Sequence, residues 1–298
     1  MSSLNQGAAA GRGRFTGNRR GSGGGRPIAS ASDELRLSES AWGEFVPLLE
    51  TVSLVIPTKN EARNLFTVLE HVPRIVDEII VVDGLSSDVT EAMAKLVNPA
   101  VRIVEQRKPG KGNALRAGFA AATGDLIVVM DADGSMSPSE IPHMLHFLAN
   151  DFDFVKGSRF LVGGGSLDIT PVRRAGNLAL VSLANVLYHT QMTDLCYGFF
   201  AFRRLFLDFL DLQSTGFEVE TEITARAILM DLRVTEVPSM ELPRRSGVSN
   251  LHTFRDGYRV IRTLFAERAR RDREVLEGQH LRAEGDASRE PDDPGNAT

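Results

Sequence analysis

Residues 126–136 read LIVVMDADGSM. Five apolar residues run without a break into two aspartates placed one residue apart. A continuous apolar, β-branched run of this length is how a strand covered on both faces reads. The turn after it admits two readings. Asp and Gly are ordinary turn residues, so the carboxylates can be punctuation. Residues two apart in an extended segment also point the same way, so Asp131 and Asp133 can present hard oxygens to one divalent cation.

The flanking sequence repeats the pattern. Leu54–Ile56, Ile79–Val82 and Val101–Val104 are runs of the same kind, separated by helical patterns over Glu61–His71, near Asp88–Leu96 and over Lys111–Ala122. Strands alternating with helices imply right-handed crossovers and a mainly parallel sheet of α/β class. In such sheets the ligand crevice lies outside the carboxyl ends of the strands. Pro57, Thr58, Lys59, Asn60 and Glu61 follow the first strand, and Asp83, Gly84, Ser86 and Asp88 the second. Arg107, Lys108, Gly110 and Lys111 follow the third. One edge of the sheet therefore collects carboxylates and cations.

Beyond residue 150, FDFVKGSRF reads as a fifth strand, GGG at 163–165 as a mobile loop and Arg173–Tyr188 as a helix. YGFFAFRR reads as a strand, GFEVETEITARAILMD as a helix and LRVTEVP as another strand. In TFRDGYRVIRTLFAERARR, helical spacing puts Phe254, Tyr258, Ile261, Leu264 and Phe265 on one side, with Arg255, Arg259, Arg262 and Arg268 flanking. That suits a core-packing helix with a wet basic face, a membrane-surface helix, or both.

The chain has 298 residues, 42% of them hydrophobic, a net charge of −5 and one cysteine. The mild charge argues against nucleic acid as a partner. A single thiol, Cys196, cannot form an internal disulfide, which fits a reducing compartment; it reads as a small buried apolar group. Residues 1–45 are Gly/Arg-rich without an apolar stretch and are expected to be a disordered leader. Residues 46–270 form the expected catalytic domain and 271–298 a disordered charged tail. No apolar run approaches the roughly twenty residues of a membrane span.

Three familiar sites fail on named positions. PTKNEA after the first strand holds no Gly-x-Gly-x-x-Gly. KPGKGNA lacks the earlier glycine of a P-loop, and Asn113 is no Mg²⁺-binding hydroxyl. A calcium loop starting at Asp131 would have Met136 and Pro142 where Gly and Glu belong. A metal–diphosphate site survives, with Lys111, Gly112 and Arg116 approaching the phosphates from the opposite lip.

VIPTKNEARNL, EIIVVDGLSSD, GKGNALRAGFAAATGD, VVMDADGSMSP and VKGSRF resemble the family 2 glycosyltransferases of GT-A fold. TDLCYGFFAFRR, GFEVETEI and PRRSGVSNL extend the resemblance over residues 50–265, and within the family it is to the dolichol-phosphate mannose synthase and polyprenyl-phosphate glycosyltransferase group. The resemblance implies an inverting hexosyltransferase that uses GDP-mannose or UDP-glucose as donor and a polyprenyl phosphate as acceptor. It implies Mg²⁺ or Mn²⁺ on Asp131 and Asp133, with Ser135 as a weaker third ligand. Pro57, Thr58, Asn60, Glu61 and Asp83 are implied for the nucleotide pocket. Lys111, Ala132 and Arg244 are implied at the nucleotide and diphosphate, with Arg244 on a segment that closes over the donor. Arg159 and Arg173 are implied for the acceptor phosphate. Asn250 stands where many relatives have Lys.

A phosphate acceptor needs no general base. A hydroxyl of a small molecule or glycan, the alternative acceptor, requires one; Asp194 holds that position in the family and Glu220 comes second. A nucleotide-sugar-binding protein without catalysis is a third class. Asn60 can equally be an N-cap, and Glu218, Glu220 and Glu222 a solvated helix face. The histidines show no shared ligand spacing. The implied location is cytoplasmic, peripheral on the cytoplasmic face of the membrane.

Overall fold

The computed structural model describes residues 50–247 and 252–287; the expected leader, Asn250 and residues 288–298 lie outside them. The main sheet holds β1 (Val52–Thr58), β2 (Glu78–Asp83), β3 (Arg102–Glu105), β4 (Leu126–Val129), β5 (Phe154–Ser158), β7 (Phe200–Arg203) and β8 (Val234–Pro238). Their order is β3-β2-β1-β4-β7-β5-β8, and β6 (Gly165–Ser166) pairs separately with β9 (Met240–Glu241). Only β7 runs antiparallel, to β4 and β5; the other pairs in the sheet are parallel. This is the mainly parallel α/β sheet of a GT-A fold.

Side chains alternate along each strand, and both faces are covered. On one face, Leu65 and Val68 of α1 (Ala62–Glu70), Ala94 of α2 (Thr90–Val97) and Leu145 of α4 (Ile141–Ala149) join a core with Leu54, Ile56 and Val128. On the other, Leu115 and Phe119 of α3 (Lys111–Ala121) and Ile223 of α6 (Val219–Leu229) pack with Val55, Ile127 and Val129. A stack of Phe154, Phe200 and Phe202, with Phe206 set edge-on against it, fills the β5–β7 end of that face. Each such ring contributes about 1.5–3 kcal/mol by burial. A third cluster joins α5 (Pro171–Tyr188), α6 and α7 (Thr253–Ala287) through Val181, Ala184, Val260 and Leu264.

Successive crossovers run outward from β1 to β2 and β3, and β4 returns to the other side of β1. The reversal opens a crevice outside the carboxyl ends of β1 and β4.

Two expectations change. The GGG stretch is pinned rather than mobile: Gly165 N–H donates to Ser239 O at 3.1 Å and Leu167 N–H to Glu241 O at 2.9 Å. Glycine there lets two backbones meet, since a Cβ on Gly164 would lie 3.1 Å from Ser239 O. The boundary at 270 also falls inside α7, which continues to Ala287. Ion pairs one turn apart, Arg268–Asp272 at 3.2 Å and Arg270–Glu274 at 3.0 Å, support that polar extension. Within α7, Val260 and Leu264 are buried, whereas Phe254 is 86% and Tyr258 68% exposed. Leu264 therefore packs into the core while Phe254 and Tyr258 face outward, so the apolar side is divided between the two readings.

Candidate active site

After β4 the chain buries Met130 and turns through Asp131, Ala132 and Asp133. Gly134 takes φ +76°, a left-handed conformation that glycine adopts without strain. Asp133 Oδ1 accepts the Ser135 N–H at 2.9 Å, which closes the turn, and Ala132 is buried beneath it.

β1 delivers Pro57 and Thr58, whose hydroxyl donates to Val82 O at 3.1 Å. Asn60 has φ +57° and accepts the Ser87 N–H at 2.8 Å. It is not the helix cap. Glu61 occupies that position, and Asp88, just before α2, and Thr90, its first residue, accept the N–H groups of Ala62 and Glu61 at 3.3 and 3.1 Å. Asp83, at the end of β2, is buried; its Oδ2 accepts the Ser86 N–H at 2.9 Å, and its Oδ1 has no partner among the described residues.

Lys111 opens α3. Its Nζ donates to Asp131 Oδ1 at 2.5 Å and also to Glu220 Oε1. Burial opposes the ammonium charge, but the two carboxylates hold its pKa above the ordinary lysine value. Burial pushes Asp131 up to about 6, against the pull of Lys111 and with the push of Glu220 and Asp133. Gly198 makes room for this triad: a Cβ there would lie 2.6 Å from Glu220 Oε1, 2.9 Å from Lys111 Nζ and 3.1 Å from Asp131 Oδ2.

The glycine loop under Lys111 rests on residues 212–216. Gly112 N–H donates to Thr215 O at 3.0 Å, and Arg116 Nη1 donates to Leu212 O and Ser214 O, each at 2.9 Å. Glu222 accepts the Gln213 and Ser214 N–H groups, both at 2.7 Å, and Arg226 at 2.8 Å. Of the readings open for Glu218, Glu220 and Glu222, the solvated helix face is thus excluded, because all three are buried. Their carboxylates pair with cations and backbone amides instead of water.

Arg159 follows β5. Its Nε and Nη2 donate to Asp194 at 2.7 and 3.0 Å, and its Nη1 lies 3.1 Å from both oxygens of Glu241. The guanidinium is therefore matched by two carboxylates and stacks on Tyr197, 4.9 Å from the ring centre. Arg173, in the first turn of α5, donates its N–H to Thr170 Oγ1 at 3.3 Å. Its guanidinium has only Asp168 opposite, 3.9 Å away, among the described residues.

Arg244 closes the far side. Its Nη1 donates to Glu61 Oε1 at 2.7 Å, and its Nη2 lies 2.9 Å from Asp133 Oδ2. Both carboxylates of the Asp-x-Asp turn therefore face a cation of the chain itself, Lys111 on one side and Arg244 on the other.

One cavity of about 880 Å³ gathers these groups. Pro57, Thr58, Glu61 and Lys111 line it, as do Asp131, Ala132, Asp133 and Ser135. Arg159, Arg173 and Arg244 complete the wall, whereas the exposed Asn60 and the buried Asp83 and Asp194 do not line it. Cys196 also borders the cavity, and burial pushes its thiol up to about 12. Sequence reading missed Glu241 and Asn64. The one available signal was an asparagine on the apolar side of α1, beside Leu65 and Val68.

The family model described as Glycosyl transferase family 2 matches residues 53–210. The polyprenol monophosphomannose synthase of Mycolicibacterium smegmatis is 35% identical over 215 residues, covering 66% of this chain and 80% of that protein. The low-salt glycan biosynthesis hexosyltransferase Agl6 of Haloferax volcanii is 32% identical over 245 residues; the match takes in 79% of this chain but spans only 57% of that relative's length. Among solved structures, glucosyl-3-phosphoglycerate synthase from Mycobacterium tuberculosis, in complex with Mn²⁺, uridine diphosphate and phosphoglyceric acid, superposes with a TM-score of 0.60. It is 23% identical and the match covers 74% of this chain and 78% of that one, a likeness of fold.

Proposed function

This chain belongs to glycosyl transferase family 2, and we propose that it moves a hexosyl unit from a nucleoside-diphosphate sugar to a polyprenyl phosphate with inversion at the anomeric carbon. One observation carries this reading: the carboxylates placed to act as a general base are already committed to cations. A hydroxyl acceptor must surrender its proton to a base. Asp194 is fully buried with both oxygens on Arg159, and Glu220 is held by Lys111. A phosphate oxygen is anionic near neutral pH and attacks without such help.

Arg173 suits the acceptor phosphate. It stands at the start of an 18-residue helix, whose N-terminal dipole favours an anion, and its one ion-pair partner among the described residues, the half-exposed Asp168, stands 3.9 Å away. Arg159 contributes less charge there, because Asp194 and Glu241 already balance it. That the Mycolicibacterium relative is a polyprenol monophosphomannose synthase supports the acceptor class.

The donor fits the other half of the cavity. Pro57, Thr58 and Glu61 line the part of the cavity that suits the nucleoside, and Asp83, buried beside Thr58 with its Oδ1 unpartnered among the described residues, is the acceptor a base or ribose donor group would reach if the wall shifts. Lys111 and Arg244 meet the diphosphate, and GDP-mannose and UDP-glucose are the donors this reading favours. Asp131 and Asp133 fit a hard cation by their chemistry, since both are carboxylates lining the cavity and each already attracts a cation of the chain. No group of three His, Cys, Asp or Glu among the described residues could hold a metal, so Ser135, diphosphate oxygens and water would complete a shell on Asp131 and Asp133. When bound there, Mg²⁺ or Mn²⁺ offsets the charge that develops on the departing diphosphate. Exposed Phe254 and Tyr258, beside Arg255 and Arg259, support peripheral docking on a membrane surface. No described helix is long and apolar enough to cross one.

The test is Arg173→Met. A charge-assisted bond to phosphate contributes about 1.5–3 kcal/mol, so the acceptor KM should rise roughly ten- to hundredfold while the donor KM stays in place. Equal losses for donor and acceptor would move Arg173 to the nucleotide side.

A further inference from the structure

Asn64 lies on the buried face of α1 and is 1% exposed. An asparagine in that position loses water from four hydrogen-bonding sites and persists only if partners replace it. Its partners come from far along the chain. Nδ2 donates to Ser246 O at 3.1 Å and to Glu61 Oε2 at 2.5 Å, and Oδ1 accepts the Ser246 hydroxyl at 2.8 Å. Ser246 is two residues beyond Arg244. Glu61 is shared: one oxygen holds Asn64 and the other holds Arg244 at 2.7 Å. The same short segment is tied to the Asp-x-Asp turn, with Leu242 N–H on Ser135 O at 2.8 Å and Arg244 on Asp133 at 2.9 Å.

We infer that Asn64 is a positioning residue for Arg244: it latches the arginine segment over the donor half of the cavity and orients the Glu61 carboxylate that aims the guanidinium. Asn64 does not line the cavity. Its effect passes through Ser246 and Glu61. With these bonds made, Asn64 sets how readily the segment leaves the Asp-x-Asp turn to admit the donor and release the nucleoside diphosphate. This inference rests on reading Arg244 as a donor contact.

Two readouts separate the latch from a general structural role. The first is limited trypsin digestion of the full chain without ligand, scoring by mass spectrometry the bonds after Arg244 and Arg245. Cleavage there follows the population of the opened segment. Asn64→Ala removes both bonds to Ser246 and should raise that cleavage about tenfold, with cleavage elsewhere in residues 50–240 unchanged. Ser246→Ala removes only the hydroxyl bond and should raise it about threefold; being confined to an outer segment, it serves if Asn64→Ala does not fold. The second readout is a kinetic split, with donor KM up about tenfold in Asn64→Ala and acceptor KM unchanged.

Unchanged cleavage after Arg244 and Arg245 in both variants overturns the latch. So does a proportional rise at every site, which would mark general destabilisation. If the intact protein binds neither UDP-glucose nor GDP-mannose, the donor reading falls on its own, and the tryptic pattern still decides whether Asn64 holds the segment.

Discussion

Replacing Asp194 with Asn separates a base from a brace. Asp194 Oδ2 accepts Arg159 Nε at 2.7 Å and Oδ1 accepts Nη2 at 3.0 Å, while the N–H groups of Arg159 and Cys196 add contacts at 3.2 and 3.3 Å. Asparagine keeps one acceptor and turns an N–H₂ toward a donor, so one charge-assisted bond is lost in a dry site. Breaking a buried pair costs about 3–5 kcal/mol. Glu241 still balances Arg159 at 3.1 Å, which lowers the expected cost to about 2–3 kcal/mol. For a domain of this size each kcal/mol moves Tm by about 2–4 °C, so Tm should fall by about 4–12 °C. Turnover per folded molecule, at saturating donor and polyprenyl phosphate, should fall less than about tenfold, because no proton has to be taken from the acceptor. Thermal denaturation followed by circular dichroism, paired with single-turnover transfer well below the new Tm, reads both quantities. Removing a true general base costs about 10²–10⁴ in rate. Turnover down about a thousandfold with Tm unmoved would refute the reasoning and restore a hydroxyl acceptor.

Gly198→Ala should weaken nucleoside-diphosphate binding by about tenfold or more with a Tm loss of only a few degrees, since its Cβ meets the ends of Glu220 and Lys111 at 2.6 and 2.9 Å rather than backbone; calorimetric titration reads the first and thermal denaturation the second. Phe202→Ala opens the ring stack between Phe154, Phe200 and Phe206 and should cost about 3–5 kcal/mol in urea denaturation. Because burial holds the Cys196 thiol at about 12, its thiolate appears only as the pH climbs toward that value. Alkylation of the folded protein at pH 8 should therefore run about a thousandfold slower than that of a free thiol, and should speed up with rising pH until the fold is lost.

The sheet and its crevice were legible because buried parallel strands announce themselves as unbroken apolar runs, and because their polar sequels fall at one edge. Leu126–Met130 followed by Asp131 and Asp133 needed nothing from elsewhere in the chain. The charged residues of α6 were not legible in that way. Glu220 and Glu222 alternate with apolar residues on a helix, which reads as solvent-facing until Lys111, 109 positions away, and the 213–214 amides arrive to pair with them. Asn64 was hidden for the same reason, its partner Ser246 lying 182 residues on. GGG at 163–165 looked loose because glycine signals freedom locally, whereas here it permits the close pairing of β6 with β9. The end of α7 was misplaced because a polar run without an apolar stripe still forms a helix when i,i+4 pairs such as Arg268–Asp272 and Arg270–Glu274 support it.

The central claim is sugar transfer to a lipid phosphate in a cavity whose Asp131 and Asp133 are paired with Lys111 and Arg244. Its most direct measurement incubates the full chain with radiolabelled GDP-mannose or UDP-glucose, Mg²⁺ or Mn²⁺, and a polyprenyl phosphate, and follows label into the organic phase. The account expects label to enter that phase with the phosphate and not with the corresponding polyprenol, and to fall to background with Asp131→Ala or excess EDTA. Equal labelling of the polyprenol, or transfer confined to water-soluble alcohols, would contradict it.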